Sequence, residues 1–441
     1  MTLFLIKHAR FYTYIYPTLP IISSAYFNQE SFTNSSPQHD ALDHVPCHLL
    51  SAIYGLSIPF SRNDDHLSVV DMYNPLPHEA VWRICYQALQ EELYRPRLSV
   101  IQAGLLYLHK TTHAEAHATV SDVSKCSWLG SLVGIAHSLG LHLETRMCAI
   151  PTEEKQIRRR LWWALYIEDK WLSLLMGRPS YISDSEWDLG ELDDGDFSIP
   201  ASIPLTNLSH ADLTRPFRDM SRLSVIAGNV QASFYSLKSS QRLSEDLLSS
   251  VQTAQPLFEE LNTWRTSVTA IESPWLASNN GILSNSGKYP STVFIAHATL
   301  VTYVWRALLR PIVPSADPPL IIDDQLDGGL VSMELPSLNA QDLWDLPDLT
   351  ELEPSLENTT DGSAAHDGIV QNLHQSSFIW ATSLASLVEH LPPARFHEFW
   401  YSWSNICFAV ISSLDMVILV QSPTVEAAVK AKRLLKPGVM S

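Results

Sequence analysis

Residues 127–188 constrain the fold more than any other stretch, because they predict two apolar helices, each with a defined stop. In the first helix, apolar residues recur with the i, i+3, i+4, i+7 spacing of one buried face, and Gly140 follows where a C-terminal glycine belongs. That face consists of Leu129, Leu132, Val133, Ala136 and Leu139. Long helices this close together in the chain favour an all-α fold.

The second helix is predicted to begin at Thr152, a candidate N-cap. Glu153 and Glu154 then place negative charge in the first turn, where the helix dipole favours it. Gly177 and Pro179 are predicted to end the helix. Its apolar surface comprises Ile157, Leu161, Trp163, Ala164, Leu165, Ile167, Leu172, Leu174 and Leu175. A helix apolar over so much of its surface must be covered on most sides.

These helices also carry a Gly-Leu-His step, an Arg-Arg-x-x-Trp run, an aspartate and a Gly-Arg-Pro stop, in that order. The order resembles the signature of the fungal-specific transcription factor domain, the middle homology region of fungal binuclear zinc-cluster regulators. The signature residues are Gly140, Leu141, His142, Arg159, Arg160, Trp163, Asp169, Gly177, Arg178 and Pro179. A weaker resemblance extends over most of the chain, from residues 11–27 to the AKRLL tail at 431–435.

The resemblance implies a nuclear regulator, shared in part with the cytoplasm, that controls RNA polymerase II target genes such as those of a metabolic or biosynthetic pathway. It implies protein contacts with other transcription factors or coactivators, and it is compatible with a dimer and with a small-molecule effector. The signature residues would then be structural. No enzyme is implied, and no residue is assigned to catalysis, to a cofactor or to a metal.

In the family, DNA recognition belongs to a six-cysteine zinc cluster upstream of this domain. Here the segment FYTYIYPTLPI, which resembles the start of the domain, begins ten residues after Met1, so the sequence leaves no room for a cluster. DNA would be reached only indirectly or through a missing N-terminal module, and zinc would enter only with an upstream cluster. A truncated gene model, a regulator without its own DNA-binding module and a partner that lends one through dimerisation all remain open.

Composition indicates one large helical domain. The 441 residues contain 46% hydrophobic residues and 13 Trp, with no long Gly/Ser linker and no internal repeat. The regulatory domain is predicted over 8–310, with its C-terminal helices over 371–441. Within the first range, helices are predicted at roughly 211–237, 240–270 and 291–309. The formal net charge of -18 should repel phosphate backbones, so the chain is not expected to bind nucleic acid unaided.

An acidic insertion is predicted at 311–370, between those two parts of the domain. Residues 311–394 contain no Lys or Arg, and 335–362 alternate acidic residues with Leu and with Trp344, interrupted by prolines. We expect this insertion to be disordered. It is either an activation-type segment that docks into a coactivator groove or a solvated loop between helices.

Five cysteines lie far apart, without a Cys-x-x-Cys pair, as suits a reducing compartment. The N-terminus lacks the apolar core of a signal peptide. The apolar run 406–420 contains Asp415 and is shorter than a membrane span. These features predict a soluble intracellular protein that does not contact a membrane.

Two patterns raise the alternative of metal chemistry. His113, Glu115 and His117, with Cys126 downstream, place histidines four residues apart, but no third ligand follows at a recognised spacing, so a polar interhelical segment is favoured.

The second pattern, Asp323, Asp324 and Asp327, spells Asp-Asp-x-x-Asp, which in helical terpene cyclases binds magnesium and the substrate diphosphate. A magnesium-dependent cyclase-like enzyme is therefore the alternative function. The second metal motif that such enzymes need is not found, and two glycines directly follow these aspartates, outside any apolar helix.

The central arginines and tryptophans have structural and functional interpretations. Arg158, Arg159 and Arg160 could contact phosphate, but in so acidic a chain they are expected to be solvated or paired with carboxylates. Asp169 is predicted to pair with Arg178 or with one of these arginines, because an unpaired buried carboxylate costs several kcal/mol. Core packing is likewise favoured over a ligand pocket for Trp162, Trp163, Trp171, Trp305, Trp400 and Trp403.

Overall fold

The computed structural model describes residues 10–22, 45–63, 77–110, 118–197, 210–269, 290–312, 362–389, 391–422 and 425–434. Throughout these ranges the regular backbone structure is helical, and no strand occurs within them. The predicted all-α fold is therefore confirmed. Packing divides the chain into two compact units.

The first unit comprises residues 1–224, 284–292 and 397–403. It contains helices α1 (Cys47–Ser57), α2 (His78–Glu92), α3 (Leu98–Leu108), α4 (Ala118–Ser138) and α5 (Thr152–Leu175), and most of α6 (His210–Val230). Helix α3 packs against α1, α2, α4 and α5. Its sequence LSVIQAGLLYL is apolar on nearly every side, and nine of its eleven residues are buried, which explains its central place.

The second unit comprises residues 225–283, 293–396 and 404–441. Its helices are α7 (Leu237–Leu243), α8 (Leu247–Thr269), α9 (Ser291–Leu309, whose first two residues belong to the first unit), α10 (Gly362–Glu389), α11 (Ser404–Val420) and α12 (Val425–Leu434). Helices α10, α11 and α12 pack against one another. Trp380 of α10 donates its indole N–H to Thr302 Oγ1 of α9 at 3.3 Å.

Both predicted glycine stops are confirmed. Gly140 and Gly177 have φ values of 69° and 61°, the left-handed conformation that side chains disfavour. After each glycine the next residue bonds back across the last turn, with Leu141 N donating to Ala136 O and Arg178 N donating to Ser173 O. This is the bond of a Schellman motif.

Helix α5 begins at Thr152, as predicted, but its N-cap is Pro151 and no side chain caps it. Two other predicted helix boundaries were wrong. The helix predicted over 240–270 is interrupted between α7 and α8, where Asp246 accepts the Ser249 N–H at 2.9 Å and so starts a new helix. The helix predicted to reach residue 237 ends as α6 at Val230, followed by the π-helical turn Gln231–Tyr235.

The predicted insertion 311–370 lies mainly outside the described residues. Helix α10 begins at Gly362, so residues 362–370 are helical. The predicted domain boundaries stay predictions.

Within the described ranges, only α9 is long and apolar enough to span a membrane, and 94% of its apolar window is buried inside the fold. Such burial is what the core helix of a folded domain shows.

Candidate functional site

Helix α5 places charged side chains inside the first unit. Every side chain from Arg159 to Leu174 is buried. That run includes the charged residues Arg159, Arg160, Glu168, Asp169 and Lys170. A buried charge without a partner costs several kcal/mol. The contacts of these five residues therefore show which segments are held against the helix.

The arginine run ties the start of α5 to three other segments. Arg158 donates to Glu154 Oε1 at 2.9 Å and to Leu139 O, at the end of α4, at 2.8 Å. Arg160 donates to Pro20 O at 2.7 Å and to the Tyr16 hydroxyl at 3.1 Å. The third arginine, Arg159, contacts the loop that follows α5.

Arg159 is 1% exposed and bonds on every side of its guanidinium. Nε donates to Asp196 Oδ1 at 2.7 Å, another N–H donates to Glu144 Oε2, and Nη2 donates to Gly190 O and Glu191 O at 3.0 and 2.9 Å. Burial alone would lower the pKa of Arg159, but Asp196 and Glu144 raise it above its usual value. The prediction that these arginines pair with carboxylates is confirmed for Arg158 and Arg159.

Asp169 has partners different from those predicted. Its carboxylate accepts the Ser180 hydroxyl and the backbone N–H groups of Tyr181 and Ile182, the last two at 2.8 and 2.9 Å. The predicted pairing with Arg178 or with the arginine run was therefore wrong. Backbone donors of the loop supply the compensation instead, and this fixes residues 180–182 against α5. Burial still leaves the pKa of Asp169 above its usual value.

The other signature residues lie around the same loop, residues 177–197, which we call the signature loop. His142 accepts the Asp188 N–H through its backbone carbonyl at 3.2 Å. The indole of Trp163 donates to Gly190 O at 3.3 Å, and its ring lies edge-on to Trp187. Leu141 is buried at the end of α4. The signature thus describes how α5 and the end of α4 hold one loop.

A buried acid–base pair lies further along α5. Glu168 Oε1 lies 3.5 Å from His109 Nε2 and accepts the Trp403 indole N–H at 3.2 Å. The Ser402 N–H donates to His109 Nδ1 at 3.3 Å, so the histidine proton is on Nε2, facing Glu168. Burial raises the pKa of Glu168 to about 8 and lowers the pKa of His109 to about 3. Both side chains are therefore neutral near pH 7.

The predicted metal patterns fall outside the described residues. His113, Glu115 and His117 lie in 111–117, and Asp323, Asp324 and Asp327 lie in 313–361. Cys126 is buried. Among the residues that the structure describes, no group of three or more His, Cys, Asp or Glu could hold a metal ion.

Five of the six tryptophans suggested for a ligand pocket pack in cores, and the sixth, Trp400, is half-buried. In the first unit, Trp162, Trp163, Trp171 and Trp403 are buried, and Trp171 stacks on Trp403 with ring centroids 4.6 Å apart. Trp305 is buried in the second unit. A cavity of about 540 Å³ lies elsewhere in the first unit, on α2 and α3. Its lining includes Trp82, Arg83, Tyr86, Tyr107 and Lys110.

The family model described as the fungal specific transcription factor domain matches residues 9–266, more than half of the chain. This chain belongs to that family. The match includes the whole signature, α1–α7 and most of α8. The terpene-cyclase alternative receives no support from it. No solved structure gives a significant match.

Two similar proteins are regulators by name. An uncharacterized transcriptional regulatory protein of Schizosaccharomyces pombe is 28% identical over 255 residues, which are 58% of this chain and 36% of that protein. The transcriptional activator protein DAL81 of Saccharomyces cerevisiae is 26% identical over 347 residues, which are 70% of this chain and 33% of DAL81. The chain thus spans about a third of each relative. Membership and these names support a role in transcription regulation.

Sequence reasoning missed the acidic partners of the site. Glu144 and Asp196 neutralise Arg159, and Arg146 Nη2 bonds Asp193 Oδ2 at 2.7 Å. The sequence carried one usable signal, the balance of charge. Residues 184–196 are rich in carboxylates, and the arginines at 146 and 158–160 need carboxylate partners. The Glu168–His109 pair gave no such signal, because its members are 59 positions apart in sequence.

Proposed function

We propose that this chain is the regulatory part of a fungal transcription regulator, acting in the nucleus on RNA polymerase II target genes through protein contacts. The observation that carries the proposal is the family match over 9–266. The matched range contains the signature, whose polar side chains on α5 are buried inside the fold. Arg159 and Asp169 bond the signature loop and are not presented to a substrate. In this proposal the signature residues hold the domain together, and the family match carries the regulatory role.

Several finer features belong to the same proposal. Contacts with other transcription factors or coactivators follow from the family, and a dimer is compatible with it. DNA would be reached through another module or partner, since a net charge of -18 opposes binding to phosphates. The open, aromatic-lined groove on α2 and α3, where Lys110 pairs with Glu79, is the place where we would look for a small-molecule effector.

The proposal is tested by fusing the full chain to a heterologous DNA-binding domain in a fungal host that carries a matching reporter gene. We expect reporter output to change several-fold relative to the DNA-binding domain alone, in either direction. The matched controls are Arg159→Ala, which removes the bonds from α5 to the signature loop and should abolish the effect, and Arg158→Lys, which should preserve it. An unchanged reporter, with a fusion shown to be folded and nuclear, would count against the proposal.

The enzyme alternative has its own test. Asp323→Ala together with Asp324→Ala would abolish magnesium-dependent diphosphate binding if the Asp-Asp-x-x-Asp pattern were used. We expect no such binding by the parent chain in titration calorimetry, and the same reporter output from the double variant.

A further inference from the structure

The tip of the signature loop, residues 183–188 with the sequence SDSEWD, lies on the surface of the first unit. Ser183, Asp184, Ser185 and Glu186 are all exposed. The tip is anchored on both sides: the Ile182 N–H bonds Asp169, and Asp188 Oδ1 accepts the Glu144 N–H at 2.7 Å. The fold therefore holds a short polar stretch in a defined exposed place.

The two serine hydroxyls at this tip are accessible. Ser183 Oγ and Ser185 Oγ lie 3.0 Å apart, and Ser185 Oγ also approaches Glu186 Oε1 at 3.4 Å. One backbone hydrogen bond, from Glu186 N to Ser183 O at 3.1 Å, closes a turn here. Opening that turn costs about 1 kcal/mol. Extending the whole tip would also release Asp184 from Lys170 and Trp187 from Trp163, so the turn around Ser183 is the part that opens most readily.

Both serines have the same charge pattern. Each has a carboxylate immediately after it and another at the third position after it: Glu186 for Ser183 and Asp188 for Ser185. Within the described ranges a carboxylate three positions on also follows Ser61, Ser386 and Ser412. Those three lie in helical segments, Ser61 is buried and the others are half-buried, so they cannot enter a cleft in extended form.

We propose that Ser183 and Ser185 are phosphorylation sites for an acidophilic serine kinase, one whose substrate groove carries basic side chains. Charge patterns beside the acceptor hydroxyl are how such kinases select substrates. In the reaction, Ser Oγ forms a bond to the γ-phosphorus of ATP while the bond from that phosphorus to the β,γ-bridging oxygen breaks. ADP leaves, and the hydroxyl proton passes to the kinase base.

The surroundings of Asp184 indicate what the added charge does. Lys170 Nζ lies 3.0 Å from Asp184 Oδ1, and the Tyr166 hydroxyl donates to the same oxygen at 3.1 Å. A phosphate on either neighbouring serine competes for Lys170 and repels Asp184 and Asp188. Phosphorylation would therefore loosen the part of the signature loop that the carboxylate of Asp188 fixes to Glu144.

The test is phosphorylation of the purified full chain by a kinase of the casein kinase 2 type with magnesium and ATP, read by phosphopeptide mass spectrometry. We expect phosphate on Ser183 and Ser185, and an incorporation about tenfold lower in the Ser183→Ala, Ser185→Ala double variant. Asp188→Asn keeps an oxygen for the Glu144 N–H but removes the charge that Ser185 needs. It should lower phosphate at Ser185 about fivefold and leave Ser183 unaffected.

Glu153→Gln, an exposed carboxylate of α5 outside the pattern, is the matched control and should change nothing. The proposal is overturned if neither serine is modified while a standard acidic peptide is, or if Asp188→Asn leaves Ser185 unchanged. It is also overturned if modification appears only after the chain is heat-unfolded. Each of these outcomes leaves the proposed regulatory function untouched, because the reporter assay does not depend on the kinase.

Discussion

Individual residues of α5 show how a charge is kept inside a helical core. Arg159 is matched by two carboxylates and two carbonyls, whereas Asp169 is matched by a hydroxyl and two backbone N–H groups. Glu168 and His109 avoid the cost of a buried charge in a third way, because burial shifts the pKa of each side chain towards its neutral form. Each solution fixes a different segment to the same helix.

Arg159→Lys should destabilise the protein by about 2–4 kcal/mol, because a single ammonium cannot reach the four acceptors that the planar guanidinium bonds. Arg158→Lys is the matched control. The side chain of Arg158 is 20% exposed and its ion pair with Glu154 is an i, i+4 pair, so the loss should stay below about 1 kcal/mol. Denaturant unfolding measures both. Equal losses in the two variants would contradict the assigned roles.

The pH dependence of stability should change in Glu168→Gln. The pKa of Glu168 is about 8 in the folded chain and near 4.5 in an unfolded one, so its contribution is fully present below pH 4.5 and is lost as the pH rises towards 8. The variant keeps the acceptor for Trp403 and cannot ionise. We expect it to gain on the order of 2 kcal/mol over the parent between about pH 5 and pH 8.

The pKa shift of His109 has the opposite sign, and His109 is present in both the parent and the Glu168→Gln variant. Its folded pKa of about 3 lies below the usual 6.5, so its contribution is lost as the pH falls below 6.5. Denaturant unfolding of both proteins is measured across this pH range. The difference between their free energies of unfolding isolates the contribution of Glu168. A constant difference at every pH would show that Glu168 does not titrate as assigned.

At the scale of elements, helix ends decide where the signature loop begins. Gly140 ends α4 and Gly177 ends α5 with the same left-handed backbone, and both stops were predicted from the glycines alone. The helix boundaries that were predicted wrongly depend on weaker local interactions, in which side chains compete with the backbone for hydrogen bonds. One example is the Asp246 side chain, which accepts a backbone N–H and starts helix α8. Glycine stops are predictable because only the backbone is involved.

Gly177→Ala should cost about 1–2 kcal/mol, and the cost should come from the backbone alone. A Cβ at this position meets no atom within 4 Å, so no clash contributes. Gly134→Ala is the matched control, since its Cβ also meets nothing but lies inside helix α4. There alanine should stabilise by up to about 1 kcal/mol. Thermal unfolding of the two variants should therefore shift in opposite directions.

At the scale of the whole molecule, charge limits what the chain can bind. With 47 acidic against 29 basic residues, the long-range field is negative. The basic residues of the central run are bonded inside the fold, so they do not offset that field locally.

The chain alone should therefore show no binding to a short DNA duplex in fluorescence anisotropy, even at about 50 mM salt, where electrostatic attraction would be strong. The matched comparison is the same chain fused to a DNA-binding domain, which should bind with the affinity of that domain. Measurable, salt-dependent binding by the chain alone would show that the chain has a basic surface that binds DNA.

The helical class, the two glycine stops and the family could be predicted from residue order, because each depends on local periodicity, on one residue's backbone freedom or on a short ordered motif. The groups that compensate the buried charges became known only from the packing of the folded chain. Asp169 bonds backbone donors that no sequence pattern distinguishes from others, and Glu168 meets His109 only because α3 packs against α5. Partners of buried charges are set by which segments fold together, and that information is not local in the chain.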